Sequence, residues 1–266
     1  NIQYVKKPLG HGYKELTIPP MKSGKFQIEP NALHIWPRGN HMLIALPNND
    51  CSFTCTLFFP MIGKTSFETV KTEKDIFNLF QSQFPDAIKL IPNLIEDFQK
   101  NPTGDLASVY CKPWHLGDKA LLIGDAAHAV APFFGQGMNA SFQDCSTLAK
   151  LMGQNENDWN TIFNAFSSTQ VENGHAIADM ALENYLEMRD HVNDPEYKTR
   201  RNMELKLERM FPGQFIPRYS MVSFHQIPCA EVYQRGGKQF KIIGDVLKAD
   251  PSGQSIDKDM VEKMLP

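Results

Sequence analysis

The sequence predicts a mixed fold of the α+β / α/β class, an antiparallel sheet followed by a strand–turn–helix unit and then by long helices. Three observations predict it. Residues 13 to 60 carry short runs of β-forming side chains cut by Gly, Asn and Pro turns. The stretch LLIGDAAHAVAPFFGQGMN, residues 121 to 139, runs from apolar strand to acidic turn, loop and paired glycines, and a helical composition follows it. From Trp159 to Asp190 apolar side chains recur at helical spacing. The chain has 266 residues, 42% of them hydrophobic, enough for one large or two modest domains.

The elements follow in order. Tyr13–Ile18 is a strand, Phe26–Glu29 a second after the Ser23-Gly24 turn, and Leu33–Trp36 a third leading to the turn Arg38-Gly39-Asn40. Met42–Leu46 and Ser52–Phe59 complete the sheet around Asn48-Asn49-Asp50. Alternation places Met42, Ile44 and Leu46 on one face. That face is either plain core or the wall of a pocket. Thr72 reads as the N-cap of a helix over Glu73–Phe84, with Ile76, Phe77 and Phe80 at helical spacing and Pro85 ending it. Residues 86 to 104 read as a short helix and loop punctuated by Pro92 and Pro102. Leu106–Lys112 is a strand, and Lys119–Ile123 is the strand feeding the turn, its Leu121, Leu122 and Ile123 buried. Met138–Met152 is a helix and residues 155–158 a turn. One long or slightly broken helix then runs over Trp159–Asp190. Its apolar stripe begins with Trp159, Ile162, Phe163 and Phe166 and continues with Ile177, Met180, Ala181 and Tyr185. Pro195 opens a charged helix over Glu196–Met210. Arg235-Gly236-Gly237-Lys238 reads as a turn before a short amphipathic helix with Ile242, Ile243, Val246 and Leu247.

The Leu121–Asn139 stretch carries the chemistry. Asp125 at a strand end is a fixed acceptor for a sugar or ribityl hydroxyl. Pro132 lacks an N–H and stiffens the approach. Gly135 and Gly137 permit positive φ and let the backbone come close to a flat ligand. The helix after them aims free N–H groups and its positive dipole end at whatever lies there. A flavin pyrimidine edge, which becomes negative on reduction, suits that position. His128 alone reads as a packed, hydrogen-bonded histidine. A metal at Asp125 and His128 lacks a third or fourth ligand at useful spacing.

Gly124-Asp125-Ala126-Ala127-His128, Pro132, Gly135-Gln136-Gly137-Met138-Asn139 and Asp144 together resemble the second FAD-binding motif of the aromatic-ring flavoprotein monooxygenases. Pro30–Arg38, Phe84–Ile88, Asn184–Arg189 and Tyr219–Val222 resemble, more narrowly, the kynurenine 3-monooxygenase family, over roughly Tyr13 to Phe224. The resemblance implies FAD as cofactor and NADPH as reductant. It implies a flavin C4a-hydroperoxide that delivers oxygen to the ring of L-kynurenine, giving 3-hydroxykynurenine. It assigns Gly124, Asp125, Pro132, Gly135, Gln136, Gly137, Met138 and Asn139 to the cofactor. Leu33, Met42, Ile44, Leu46, Phe58, Pro132 and Phe133 would line the substrate pocket. Asn184 and Tyr219 would hold the amino-acid end of the substrate, or else serve as buried hydrogen bonds in the core. Pro132, Phe133 and Phe134 would shield the flavin. No conventional catalytic base is implied. A different aromatic hydroxylase or reductase of the same superfamily, or a non-catalytic fragment, is the alternative.

The sequence contains no GxGxxG. The resemblance places that nucleotide-binding βαβ half upstream, so this chain is expected to be the C-terminal part of a Rossmann-type FAD monooxygenase. The other half would then be a partner, as a separate chain or within a longer one. The expected divisions are a substrate sheet with a helix over 1–104, the second half of the FAD-binding domain over 105–153, a helical region over 154–230 and a tail over 231–266.

Bulk properties exclude other classes. The net charge of −3, from 27 basic and 30 acidic residues, is no footprint for nucleic acid. The five cysteines form no CxxC pair and read as reduced thiols, with Cys51 and Cys55 on one strand face. Arg200 and Arg201 read as surface charge, with the phosphates of NADPH as the other reading. The resemblance implies the cytosolic face of the mitochondrial outer membrane. No apolar run of spanning length occurs, so a tether would be peripheral, removed or absent.

Overall fold

Alternating apolar residues build the sheet. In the computed structural model, which describes residues 2–156, 158–191, 194–253 and 256–265, β1 (Gln3–Ile18), β2 (His34–Pro37), β3 (Met42–Pro47) and β4 (Phe53–Pro60) join β5 (Gly104–Lys112) in the order β2-β3-β4-β1-β5. The pairs β2/β3, β3/β4 and β4/β1 are antiparallel. In this register Leu43 faces Leu57, and Cys55 is flanked by Ala45 and Leu16. These side chains share one face with Ile18, Phe53 and Phe59. They pack on Ile76, Leu79 and Phe80 of helix α1 (Glu73–Gln83) and on Leu94 and Phe98 of α2 (Leu94–Lys100).

Thr72 caps α1 as the sequence suggests. Its hydroxyl accepts from the Asp75 N–H while the Asp75 carboxylate accepts from the Thr72 N–H, a reciprocal capping box. Leu79, not Phe77, completes the buried stripe, and Phe77 is exposed. Phe26–Glu29 is not a strand. Side chains anchor it instead: Phe26 meets Phe53 edge-on at 5.5 Å, and the Gln27 amide donates to the Pro19 carbonyl at 2.6 Å. Cys51 lies in the turn before β4 with φ 65°, so it does not share a strand face with Cys55.

The chain divides into two compact units, one of residues 8–107 with 186–192, the other of residues 1–7, 108–185 and 193–266. In the second, β6 (His115–Leu116) and β7 (Ala120–Leu121) form a two-stranded ribbon. The strand expected over Lys119–Ile123 is therefore shorter, because the Leu122 N–H turns to the Trp114 carbonyl at 2.7 Å. Leu121 and Leu122 are half-buried and Ile123 is exposed, against the expectation of a buried strand.

The helices are α3 (Asp125–His128), α4 (Gly137–Gln154), α5 (Trp159–Leu186), α6 (Pro195–Met210), α7 (Arg218–Phe224), α8 (Cys229–Ala249) and α9 (Lys258–Met264), with a π-turn over Glu187–His191 after α5. The turn expected over 155–158 includes residue 157, outside the described residues. Helix α8 passes through Arg235–Lys238, where the sequence suggested a turn. The glycine there has a packing cause: a Cβ on Gly236 would lie 2.7 Å from the Arg218 side chain. The last helices share a core of Met203, Leu207, Phe215, Ile242, Val246 and Val261. Arg200 pairs with Glu196 at 3.2 Å and lies over the Phe240 ring, which occupies it structurally.

One buried group makes the first unit pH-sensitive. Burial, with Arg38 and His11 nearby, pushes His41 down from 6.5 to about 4. The unfolded chain takes up this proton at higher pH than the folded one, so protonation favours unfolding. The stabilising contribution is full above 6.5 and is lost as pH falls towards about 4. Urea unfolding at about pH 7 and about pH 5 is expected to differ by about 2 kcal/mol, and the difference should vanish in His41→Phe.

Candidate functional site

Local chain chemistry sets the shape of the predicted stretch. Gly124 adopts φ 58°, ψ −144°, a conformation essentially closed to side-chain-bearing residues. It ends the ribbon and starts α3, so Asp125 stands exposed at the first helical position. Pro132 begins a 3₁₀ turn over Pro132–Phe134. Gly135 closes that turn in the left-handed region with φ 64°, its N–H donating to the Pro132 carbonyl at 3.1 Å. Helix α4 then begins at Gly137 with no side-chain cap. Gln136 spends its amide oxygen on the Asn139 side chain, at 2.9 Å. The free N–H groups at the start of this 18-residue helix are thus left open. A Cβ at Gly135 or Gly137 would meet nothing within 4 Å, and Met138 and Asn139 are exposed.

Two distant elements converge on the Pro132–Phe134 turn. Asn184, buried on α5, donates its amide to the Phe133 carbonyl at 2.6 Å. Its neighbour Tyr185 stacks on the Phe133 ring with centroids 4.2 Å apart. Tyr219 of α7 stacks on Phe134 at 5.6 Å and stays half-exposed. The structure therefore brings Pro132, Phe133, Asn184 and Tyr219 together. The Phe133 and Phe134 rings are buried in this packing, and Pro132 is the exposed member of the turn.

Leu33, Met42, Ile44, Leu46 and Phe58 belong to the other unit. Met42 pairs with Phe58, and Ile44 and Leu46 pair with Thr56 and Thr54, on the face opposite the core. Met42 and Phe58 are buried, Ile44 is half-buried, and Leu46 is exposed. Leu33 is exposed and precedes β2. The π-turn over Glu187–His191 lies beside β2 in the same unit.

Sequence reasoning gave no role to Trp114 or Gly174, and placed Tyr185 only on the apolar stripe of the long helix, where it is indeed buried. Their partners lie tens of residues away, so no local spacing announces them. Trp114 is fully buried, and a Cβ on Gly174 would approach its ring to 2.7 Å. Gly174→Ala is expected to destabilise the protein by about 2 kcal/mol, read as a lowered melting temperature. Among the described residues no three His, Cys, Asp or Glu side chains could hold a metal.

These residues suit a flavin. The site offers an exposed carboxylate on a rigid turn, two glycines whose side-chain positions are empty space, and an uncapped helix N-terminus. Comparison with known proteins agrees. Residues 32–162 match the model of an FAD binding domain. Kynurenine 3-monooxygenase of Myxococcus xanthus is 48% identical over 252 residues, covering 95% of this chain and 54% of its own length. The enzyme of that name from Dictyostelium discoideum is 41% identical, covering 98% of this chain and 60% of its own. The chain is similar to these two enzymes over nearly its whole length. It spans little more than half the length of these curated relatives. Fold likeness extends to more distant proteins. Klebsiella pneumoniae HpxO complexed with FAD and uric acid matches with a TM-score of 0.55 at 16% identity, over 95% of this chain and 55% of that one. Tetrameric 2-methyl-3-hydroxypyridine-5-carboxylic acid oxygenase matches with a TM-score of 0.57 at 15% identity, over 74% of this chain and 53% of that one.

Proposed function

We propose that this flavoprotein chain is the ring-binding part of an enzyme that hydroxylates L-kynurenine to 3-hydroxykynurenine with FAD, NADPH and O₂. The observation that carries the reading is the convergence of Asn184 and Tyr219 on the Pro132–Phe134 turn, just before the open N-terminus of α4. FAD, reduced by NADPH, supplies the activation of O₂ for insertion of one oxygen atom into an aromatic ring. The chain's own residues bind and orient. Asp125 accepts from a ribityl hydroxyl. The free N–H groups of Gly137, Met138 and Asn139 stabilise negative charge at the pyrimidine edge of the ring. Pro132 and its turn keep water from the flavin, and Asn184 and Tyr185 hold that turn still. Tyr219 offers a hydroxyl and an exposed ring edge to the substrate's amino-acid end.

The rest of the relatives' length is proposed to carry the pyrophosphate-binding half. Helix α4 supports this with an exposed apolar stripe of Met138 (68% exposed), Phe142 (63%) and Met152 (39%), which marks a docking surface. Intact-mass analysis of the purified enzyme should show either a second polypeptide or a longer chain. Location at the mitochondrial outer membrane is part of the same proposal. Among the described residues no helix is long and apolar enough to cross a membrane; fractionation of the source cells tests the location.

The catalytic reading is tested by turnover against a panel of aromatic substrates, following NADPH oxidation and product formation. The expected result is 3-hydroxykynurenine from L-kynurenine, with NADPH consumed in step. Hydroxylation of another aromatic, with L-kynurenine untouched, would replace this substrate by that one.

A further inference from the structure

We infer that His128 and Asp144 are positioning residues for the flavin, fixing the Gly124–Asp125 turn so that the Asp125 carboxylate stands where a ribityl hydroxyl meets it. This rests on the flavin reading of the site and deepens it. Gly124 is held in a backbone conformation that costs free energy unless its surroundings enforce it. The enforcing group is Asp144. One carboxylate oxygen, Oδ2, accepts from the Gly124 N–H at 2.8 Å and from His128 Nε2 at 2.7 Å. Both side chains are sealed from water, with Asp144 3% and His128 2% exposed.

The bond to Asp144 puts the imidazole proton on Nε2. Among the described residues Nδ1 has no hydrogen-bond partner, so the ring's hydrogen bonding is to Asp144. Packing completes the support. Trp114 stacks on His128 with centroids 5.0 Å apart and planes 24° from parallel. Gly174 allows that approach, since its Cβ would lie 3.1 Å from the His128 Cβ. On the other side Ser141 of α4 fills the space beside Gly124, where a Cβ would meet its Oγ at 3.1 Å. The same hydroxyl donates to the Gly137 carbonyl at 3.0 Å. The Gly124–Asp125 turn is thus tied to α4 by the buried Asp144 bond and packs beside half-buried Ser141 near the start of that helix.

A buried polar pair is a poor way to gain stability alone, because an apolar pair of similar volume often does as well. What Asp144 and His128 add is direction: hydrogen bonds that fix one glycine conformation immediately before the cofactor-binding carboxylate.

The experiment compares the wild-type holoenzyme with His128→Phe, His128→Gln and Asp144→Asn, stripped of FAD and titrated with it. His128→Phe keeps a ring under Trp114 and removes the donor; His128→Gln restores an N–H donor. Three readouts are taken: the FAD dissociation constant, the visible circular dichroism of bound flavin, and the melting temperature of the apoprotein. The expected result is FAD binding weakened about tenfold in His128→Phe and Asp144→Asn, with an altered flavin dichroism. His128→Gln should recover part of both. The proposal is overturned if folded variants bind FAD with wild-type affinity and dichroism. It is also overturned if His128→Gln is no better than His128→Phe and all loss of binding tracks the fall in apoprotein melting temperature. A wild-type enzyme that takes up no FAD overturns the flavin reading itself, and this proposal with it.

Discussion

Trp114→Ala is expected to destabilise the unit that carries the flavin motif by about 4 kcal/mol, the largest stability effect of any single change described above. Trp114 is fully buried, stacked on His128 and tilted against Phe166. Its indole N–H donates to the Cys111 carbonyl at 2.9 Å, and its backbone N–H to the Ser167 hydroxyl at 2.9 Å. Truncation to alanine would empty a cavity between β5, the β6/β7 ribbon and α5, and would leave the Cys111 carbonyl only its contact with His175 Nε2 at 3.1 Å. Against a typical total of about 5–15 kcal/mol, such a loss leaves a marginal protein. Urea denaturation measures it directly. Trp114→Phe keeps most of the packing and loses only the indole N–H, so it should fall less than halfway to the alanine variant. A Trp114→Ala protein as stable as wild type would mean that the stacked column is not the core of this unit.

Asp125→Ala is expected to weaken FAD binding by about thirtyfold, or about 2 kcal/mol, while leaving the apoprotein melting temperature unchanged. The second half of that statement follows from exposure: the carboxylate projects from the first turn of α3 and supports no buried group. The first half follows from charge-assisted hydrogen bonding to a hydroxyl held against a rigid turn. Asp125→Asn keeps an acceptor of the same shape and should recover much of the affinity. Flavin fluorescence titration separates the three proteins. Equal affinities would remove Asp125 from the cofactor's contacts.

The two changes also mark what the sequence revealed and what it hid. Asp125, Gly135 and Gly137 were legible because their chemistry is local. A turn, a left-handed residue and a helix start are each written in neighbouring residues. Helix α1 was legible for the same reason, since Thr72 and Asp75 cap it across three positions. His128 was legible as a packed, hydrogen-bonded histidine and Asp144 as a member of the motif, but their pairing, and the meeting of Trp114 with Gly174, comes from tertiary packing that no periodicity announces. The glycines of Arg235–Lys238 misled for a related reason. Paired glycines favour a turn locally, but Gly236 serves the close passage of Arg218 against α8. Phe26–Glu29 has the composition of a strand, yet the β2 edge takes no further partner there, and anchoring by Phe53 and Pro19 wins. On the sheet, alternation correctly grouped Met42, Ile44 and Leu46. The register then showed that the core lies on the other face, with Leu43 and Ala45.

The measurement that tests the central claim most directly is the visible absorption spectrum of the purified enzyme, recorded before and after adding L-kynurenine. Flavin bands that shift on addition, with no shift from an aromatic acid lacking the amino-acid end, are the predicted result. Flavin bands indifferent to L-kynurenine, or no flavin bands at all after supplying FAD, would contradict it.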